Sequence, residues 1–255
     1  RRLVPHGETV VIVQPGCGLQ RLDSLQKDVR FCVVDVRDEV KVRELIKDVQ
    51  PTRIFHLAAA GMIRGQEPPE DVMMVNVGGA YNVLAGMLAT GSVEAAVFVG
   101  SWYEYGHALA EHAVRVPRPA SVYGVSKLAA TLLVQAFASK LSLPAVVLRP
   151  FQVYGPTELP HRLIPHIVRC AKSGAPLELN TPQARRDWIY VEDVAAALDV
   201  ASVSSCWGKV MDIGTGVTTT VADVAAMVFE LMGVPWCDVD GVLGLWGINF
   251  NQAGE

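Results

Sequence analysis

Short runs of apolar and β-branched residues alternate with helix-length amphipathic segments along almost the whole chain. This alternation is typical of parallel β-α-β units, because the helix that connects two parallel strands packs on a face of the sheet. Strands that are apolar throughout indicate a sheet that is buried on both faces. The pattern predicts strands at 9–14, 30–35, 52–57, 95–100, 144–149 and 209–213, and helices at about 37–49, 71–90, 121–140, 191–202 and 219–232.

The composition excludes several classes of protein. Charged residues make up 19% of the 255 residues and hydrophobic residues 51%, which excludes disorder as the main state. The net charge is −4 and no run of like charges occurs, so the basic surface of a nucleic-acid binder is missing. The longest uncharged stretch, Val72 to Val93, contains two asparagines and four glycines, which favour a buried helix over a membrane span.

The cysteines indicate neither a metal site nor a disulfide framework. There are five, an odd number, and none of them forms a C-x-x-C pair. We therefore expect no metal ion and a reducing, cytoplasmic location.

Tyr123 and Lys127 form the sharpest local motif. Residues four apart share one face of a helix, so the phenol and the ammonium are predicted to point into the same space. A nearby cation favours the phenolate, which makes Tyr123 a candidate general acid and base. The alternative is an ordinary amphipathic helix with a surface lysine. Ser101 follows a buried strand upstream, and its hydroxyl can donate to a substrate oxygen at the carboxyl edge of the sheet.

Four motifs follow one another along the chain: Val99-Gly100-Ser101 at a strand end, Tyr123-Gly-Val-Ser-Lys127, RPFQVYGP at 149–156 and RRDWIYVEDV at 185–194. With these motifs the chain resembles the extended short-chain dehydrogenase/reductase family, the nucleotide-sugar epimerases and dehydratases. The resemblance implies an α/β fold, a Rossmann-like doubly wound parallel sheet with a smaller C-terminal substrate-binding lobe. The implied dinucleotide-binding domain is 1–150 plus about 187–212, and the implied lobe is 151–186 plus about 213–255.

The start of the chain departs from the family pattern. The glycine-rich G-x-x-G-x-x-G turn, which holds a pyrophosphate at a helix N-terminus, is absent there, so we expect it and the first strand to precede Arg1. The acidic residue that favours NAD is replaced around Val13-Gln14-Pro15. The implied cofactor is therefore NAD or NADP, and the choice between them is open.

The resemblance also implies roles for individual residues. It places the catalytic groups at Ser101, Tyr123 and Lys127. Implied cofactor contacts are Asp35, Val36, Leu57, Ala58, Ala59, Ala60, Asn76, Tyr123, Lys127 and Pro150. Implied substrate contacts are Ser101, Gln152, which stands where asparagine is usual, and Arg186, whose planar guanidinium suits a diphosphate.

Three of these residues have an alternative structural role. Asp35 can cap the helix that follows it. Asn76 can be satisfied within its own helix. Arg186 can pair with Asp187 or Glu192.

The residues after Ser101 bear on the reaction. In the dehydratase and decarboxylase branches of the family, an acidic residue lies two places before the tyrosine of a Tyr-Gly pair. Tyr103 occupies that position here. Glu104 is one place away, and a shift of one residue points its side chain in a different direction, so it is not expected to replace the acidic residue. We therefore predict hydride transfer at one sugar carbon, C4, by a nucleotide-diphosphate-sugar 4-epimerase. A 4-keto-6-deoxysugar 4-ketoreductase and a non-catalytic dinucleotide sensor of the same fold are the alternatives.

The predicted partners follow from the same resemblance and from the helices. A nucleotide-diphosphate sugar is the expected ligand, and neither nucleic acid nor a membrane is expected. The helices at about 71–90 and 121–139 carry little charge, which predicts that they pack against a second copy as a four-helix bundle. The expected assembly is a homodimer.

Overall fold

The computed structural model describes residue 5 and residues 7–61, 67–106, 116–239 and 242–245. In these residues the strands in chain order are β1 (Val10–Val13), β2 (Arg30–Val33), β3 (Arg53–His56), β4 (Ala95–Val99), β5 (Ala145–Pro150), β6 (Gln152–Tyr154), β7 (Leu177–Glu178), β8 (Arg185–Tyr190), β9 (Val210–Ile213), β10 (Thr218–Thr220), β11 (Trp236–Val239) and β12 (Val242–Leu245). The α-helices are α1 (Glu39–Val49), α2 (Pro69–Met73), α3 (Gly79–Thr90), α4 (Val122–Leu141), α5 (Leu163–Ser173), α6 (Val191–Ala201) and α7 (Val221–Leu231).

The chain divides into two compact units. Unit 1 comprises Arg1–Pro150 and Glu192–Ile213, and unit 2 comprises Phe151–Val191 and Gly214–Glu255. Residues 187–190, which the sequence assigns to the dinucleotide-binding domain, lie in unit 2. They belong to β8, which pairs with β6 and β10 in that unit.

Unit 1 contains two parallel sheets. One pairs β1 with β2, and the other has the order β3-β4-β5-β9. Each predicted strand is confirmed to within two residues at either end. In the described part of the chain, β1 pairs only with β2 and β3 pairs only with β4. The predicted single sheet is therefore observed as two separate ladders.

The larger parallel sheet is covered on both faces. Successive strand residues point to opposite faces, so neighbours along a strand enter different cores. Phe98 and Val147 pack in the core that includes α1, α3 and α4, while Val97 and Val146 pack in the core that includes residues of α6. Helices on both faces are what the apolar strands predict, and the doubly wound arrangement is confirmed.

The helix ends follow their local sequence. The Asp38 side chain accepts from the Lys41 backbone N–H at the start of α1, and Ser121 does the same for Gly124 at the start of α4. Gly91 ends α3 with a left-handed conformation, φ 66°. The predicted helix at 71–90 begins earlier, in α2, and is interrupted by a π turn at Met74–Gly78 before α3.

Two helical segments meet the length and composition criteria for a membrane span, Pro69–Thr90 and Val122–Leu141. Half of the apolar window of the first and a third of that of the second are buried inside the structure. Both contribute residues to the core on one face of the larger sheet. Core helices of this kind meet the same criteria without crossing a membrane.

Unit 2 contains most of the elements that the sequence did not predict. The strands β6, β8 and β10 form one sheet, and β7, β12 and β11 form another. Ile167 of α5 and Phe229 of α7 are fully buried at the centre of the core of this unit. The strands are only two to six residues long, and α5 has Pro165 in its first turn and no side-chain cap. The strands are too short for a periodic pattern to show them, whereas α5 is amphipathic and ends at Gly174, so its periodicity could have shown it.

Candidate functional site

Ser101 follows directly after β4 and is buried. It caps a 3₁₀ turn, Trp102–Tyr105, and its hydroxyl accepts from the Tyr103 backbone N–H at 3.3 Å. The Glu104 carboxylate accepts from the Ser101 backbone N–H at 2.9 Å, which completes a capping box. These two bonds hold the Ser101 hydroxyl at the carboxyl edge of the sheet.

Tyr123 and Lys127 lie one turn apart near the start of α4. Tyr123 is partly buried, and its ring meets the ring of Tyr103 edge-on, with 5.5 Å between centroids and 82° between planes. Since the backbone of Tyr103 also binds Ser101, Tyr103 contacts both Ser101 and Tyr123. Lys127 is only 5% exposed, so the alternative of a surface lysine is wrong.

Lys127 lines a small cavity in unit 1. Burial lowers the pKa of Lys127 to about 8, and the Glu104 carboxylate opposes this shift by favouring the ammonium. Burial also lowers the pKa of His56 to about 3, with a further contribution from the charge of Lys127, so His56 is neutral near pH 7. In the described part of the chain, the buried Nε2 of His56 has no hydrogen-bond partner. The cavity is also lined by Asn76, Phe98, Gly100 and Thr131.

Asn76 joins the segment after β3 to α4. Its amide oxygen accepts from the Ala60 backbone N–H at 2.8 Å, and its amide nitrogen donates to the Ala60 carbonyl at 3.0 Å. The same nitrogen donates at 2.8 Å to the Ser126 hydroxyl, which donates to the Tyr123 carbonyl at 2.8 Å. The alternative that Asn76 is satisfied within its own helix is therefore wrong. Asn76 connects Ala60 to the helical turn that contains Tyr123.

The segment Leu57–Ala60 fits a bound dinucleotide. Leu57 and Ala59 are exposed just beyond β3, although both side chains are apolar. The three alanines carry only methyl side chains, and the Asn76 side chain binds the backbone N–H and carbonyl of Ala60. A cofactor can therefore approach the backbone here, next to the hydrogen-bonding groups of α4.

Asp35 and Val36 follow β2. The Asp35 carboxylate accepts from Arg37, at 3.1 Å from Nε and 2.8 Å from Nη2, and Arg37 Nη1 donates to Asp71 at 2.7 Å. The hydrogen bonds from Arg37 hold the pKa of Asp35 below its usual range. Asp38, and not Asp35, caps α1, so the alternative role of Asp35 as the cap is wrong.

The remaining predicted residues are divided between the units. Pro150 ends β5 in unit 1, whereas Gln152 and Arg186 lie in unit 2. Gln152 begins β6 and is paired with Trp188 of β8. Arg186 is half-buried in β8 and donates to the carbonyl of the preceding residue at 2.7 Å. The buried Asp187 accepts from the backbone N–H groups of the turn at 215–216.

A buried ion pair beside the site was missed from the sequence. Glu104 Oε2 accepts from Arg149 Nε at 2.6 Å, and Arg149 Nη1 donates to the Tyr105 hydroxyl at 2.9 Å. That hydroxyl donates in turn to the carboxylate of Asp212 at 2.9 Å. The S-x-x-E spacing at 101–104 is a capping-box signal and could have located Glu104, but nothing local links it to Arg149.

The described residues contain no cluster of metal ligands. In the described ranges, no group of three or more His, Cys, Asp and Glu side chains could hold a metal ion.

A doubly wound parallel sheet with a serine and a tyrosine–lysine pair at its carboxyl edge is an α/β arrangement of the short-chain dehydrogenase/reductase type. Residues 1–214 match the model of the NAD dependent epimerase/dehydratase family. The chain belongs to this family, so the resemblance stated from the motifs is confirmed. The prediction of a nicotinamide cofactor is confirmed at the level of the family, which is NAD-dependent.

Curated relatives include several sugar-nucleotide enzymes. A trifunctional UDP-glucose 4,6-dehydratase/UDP-4-keto-6-deoxy-D-glucose 3,5-epimerase/UDP-4-keto-L-rhamnose-reductase of Arabidopsis thaliana is 30% identical over 164 residues, 62% of this chain and 25% of that protein. A dTDP-glucose 4,6-dehydratase of Salmonella typhimurium is 27% identical over 238 residues, 84% of this chain and 66% of that protein. The chain therefore spans between a quarter and two thirds of the length of these relatives.

A solved structure has the same fold. The UDP-glucose 4-epimerase of Thermus thermophilus, in complex with NAD, is 29% identical and superposes with a TM-score of 0.80. The match covers 91% of this chain and 78% of that chain. The predicted Rossmann-like α/β fold is thereby confirmed.

Proposed function

We propose that this protein is an NAD-dependent nucleotide-diphosphate-sugar 4-epimerase. The observation on which the proposal mainly depends is that Tyr103 contacts both Ser101 and Tyr123, with the buried Lys127 one helical turn after Tyr123. Tyr123 can transfer one proton, and Ser101 can donate a hydrogen bond to one substrate oxygen. Tyr103 occupies the place of the acidic residue that elimination of water needs, which disfavours a 4,6-dehydratase reaction, although several relatives are named for that reaction.

The proposed chemistry needs a protein group that takes one proton from the sugar and later returns it. NAD, when bound, supplies the acceptor and later the donor of a hydride at the sugar carbon. The Tyr123 phenolate takes the proton of the sugar hydroxyl, and the Lys127 ammonium stabilises that phenolate. The Ser101 hydroxyl accepts from Tyr103, which leaves its hydrogen for the sugar oxygen. Once the keto sugar has turned over in the site, Tyr123 would return the proton to the sugar oxygen, and the alcohol that forms would have the inverted configuration at this carbon.

The other predicted contacts become proposals for the same site. Asp35 and Val36 would contact the adenine end of the cofactor. Leu57, Ala58, Ala59 and Ala60 would line its path, Asn76 would steady that segment, and Pro150 would meet the nicotinamide. Gln152 would contact the sugar, and Arg186 the diphosphate, for which its forked donors are suited.

A test of this function is to denature the protein, expressed from its full-length gene, and identify the nucleotide that is released. We expect retained NAD⁺, because an epimerase regenerates its cofactor within each turnover and has no need to release it. The same preparation should interconvert a UDP-sugar and its C4 epimer without added cofactor. Mass spectrometry and chromatography of the sugar nucleotides provide the two readouts.

Three other results would contradict the epimerase assignment in distinguishable ways. An empty protein that consumes NADH or NADPH only with a 4-keto sugar nucleotide would be a 4-ketoreductase. A 4-keto-6-deoxy product from a nucleotide-linked glucose would indicate a 4,6-dehydratase despite Tyr103. Nucleotide binding with no turnover of any sugar nucleotide would indicate the sensor alternative.

We also propose that the protein is a homodimer. The outer faces of α3 and α4 expose apolar side chains, including Tyr81 and Leu88 on α3 and Val125 and Leu132 on α4, each about half exposed. A second copy of the same two helices would cover these side chains in a four-helix bundle. A cytoplasmic location is proposed from the cysteine pattern, and no nucleic-acid partner is proposed because the net charge is −4. No membrane partner is proposed, because the bundle would account for these apolar surfaces.

Light scattering at micromolar concentration tests the dimer. The expected mass is twice that of the single expressed chain, of which residues 1–255 account for 27.5 kDa. Leu132→Glu should give the single-chain mass, because it introduces charge into the proposed interface. Val200→Glu, an equally drastic change at an exposed position of α6, should leave the mass unchanged. A single-chain mass for the parent protein would contradict the proposal.

A further inference from the structure

Glu104 is fully buried, with 0% of its surface exposed. Its Oε1 accepts from the Ser101 backbone N–H at 2.9 Å and from the Thr131 hydroxyl at 3.0 Å, and its Oε2 accepts from Arg149 at 2.6 Å. Thr131 lies one turn after Lys127 on α4. A single carboxylate therefore joins the strand end that holds Ser101 to the helix that holds Lys127.

The backbone beside Glu104 leaves room for the ion pair only because residue 100 is glycine. A Cβ atom on Gly100 would lie 2.7 Å from Glu104 Oε1 and 2.8 Å from Arg149 Cγ, closer than real Cβ contacts. Arg149 is also held from its other side by the Tyr105 hydroxyl and lies over the Tyr105 ring at 5.1 Å. Both partners of the ion pair are thus fixed in place next to Ser101.

Among the titratable groups Glu104, His56, Tyr105 and Arg149, Glu104 is the anion that acts on the charge of Lys127. His56, on β3, has a pKa lowered to about 3 by burial and is neutral near pH 7. Burial raises the pKa of Tyr105, so that group is neutral as well. Arg149, on β5, is a cation paired with Glu104. Of these neighbours, Glu104 is the group whose charge favours the ammonium form of Lys127.

We propose that Glu104 is a positioning residue for the Ser101–Tyr123–Lys127 site. It fixes Ser101 against α4, and its buried negative charge favours the protonated form of Lys127. The assignment rests on the proposed function, since it presumes that these three groups act on a sugar hydroxyl. It also differs from the role of the acidic residue in the dehydratase branches, because Glu104 contacts Ser101, Thr131 and Arg149 rather than a substrate.

The test is Glu104→Gln, which keeps the shape and the acceptor for Ser101 but removes the charge. We expect kcat to fall by about tenfold or more with KM within about twofold, because positioning and protonation affect the reaction more than binding. The basic limb of the kcat–pH profile should move to lower pH by roughly one unit, because the ammonium loses its buried counter-charge.

A second readout does not depend on turnover. In lysine-labelled protein, NMR titration of the Lys127 side chain, assigned by the loss of its signal in Lys127→Gln, should give a midpoint near 8 in the parent and a lower one in Glu104→Gln. If the parent shows no sugar-nucleotide turnover, the proposed function fails, and this titration still decides whether Glu104 sets the charge of Lys127.

Two control variants separate charge from folding. Thr131→Val removes one hydrogen bond to Glu104 but keeps its charge, so the Lys127 midpoint should not move. Glu104→Gln/Arg149→Met removes both charges and leaves no unpaired buried arginine, so it should fold, with a Lys127 midpoint between those of Glu104→Gln and the parent, because the loss of the Arg149 cation opposes the loss of the Glu104 anion. An unchanged Lys127 midpoint and an unchanged basic limb in Glu104→Gln, or a double variant that titrates below Glu104→Gln, would overturn the proposal.

Discussion

Replacing Tyr123 with phenylalanine should lower kcat for the sugar-nucleotide reaction by about 10²- to 10⁴-fold, the usual contribution of a general acid and base. The substitution removes only the phenolic oxygen. The ring contact with Tyr103 and the backbone bond from Ser126 do not use that oxygen, so the local structure should persist. The loss should appear in kcat and in kcat/KM alike, because the proton moves in the transition state.

The matched control is Tyr81→Phe. Tyr81 is about half exposed on α3, and its ring packs edge-on against Phe137, a contact that phenylalanine retains. Tyr81 also lies on the proposed dimer surface, where phenylalanine keeps the apolar ring, so turnover should stay within about twofold of the parent. Circular dichroism and nucleotide binding should be the same in both variants. A Tyr123→Phe protein that keeps more than a tenth of the parent kcat would show that Tyr123 is not the proton-transfer group.

Leu84→Ala should lower the free energy of unfolding by about 2–5 kcal/mol. Leu84 is 0% exposed in α3 and belongs to the core that also includes Val42 and Ile46 of α1 and Phe98 of β4. Truncation removes apolar contacts and leaves a cavity that close-packed neighbours fill only in part. Urea unfolding followed by far-UV circular dichroism should show a lower midpoint with an unchanged slope.

Leu231→Ala is the control for the same chemical change. Leu231 is 87% exposed at the end of α7, so the truncation removes little buried surface. Its effect should stay within about 0.5 kcal/mol. Equal destabilisation by the two variants would contradict the assignment of Leu84 to the core.

Some parts of the fold could be predicted from local patterns and others could not. The strands of unit 1 are mostly apolar runs, and α4 begins at a serine cap, so their positions follow from neighbouring residues. In unit 2, β8 lacks such a signal, because its formation depends on pairing with β6 and β10, which no short segment encodes. Helix α5 is amphipathic and ends at Gly174, so its position could have been predicted, but its packing against α7 could not.

The candidate site divides in the same way. The sequence by itself placed Tyr123 and Lys127 on one helix face and Ser101 at a strand end, because the period of a helix and the direction of a strand are local properties. Only the tertiary structure decided that Lys127 is buried, that Asn76 binds Ala60 and Ser126, and that Glu104 pairs with Arg149. The members of these pairs are between 16 and 50 residues apart in the chain. They meet because β4 lies between β3 and β5 and α4 packs on that sheet, and burial there makes an unpaired polar group costly.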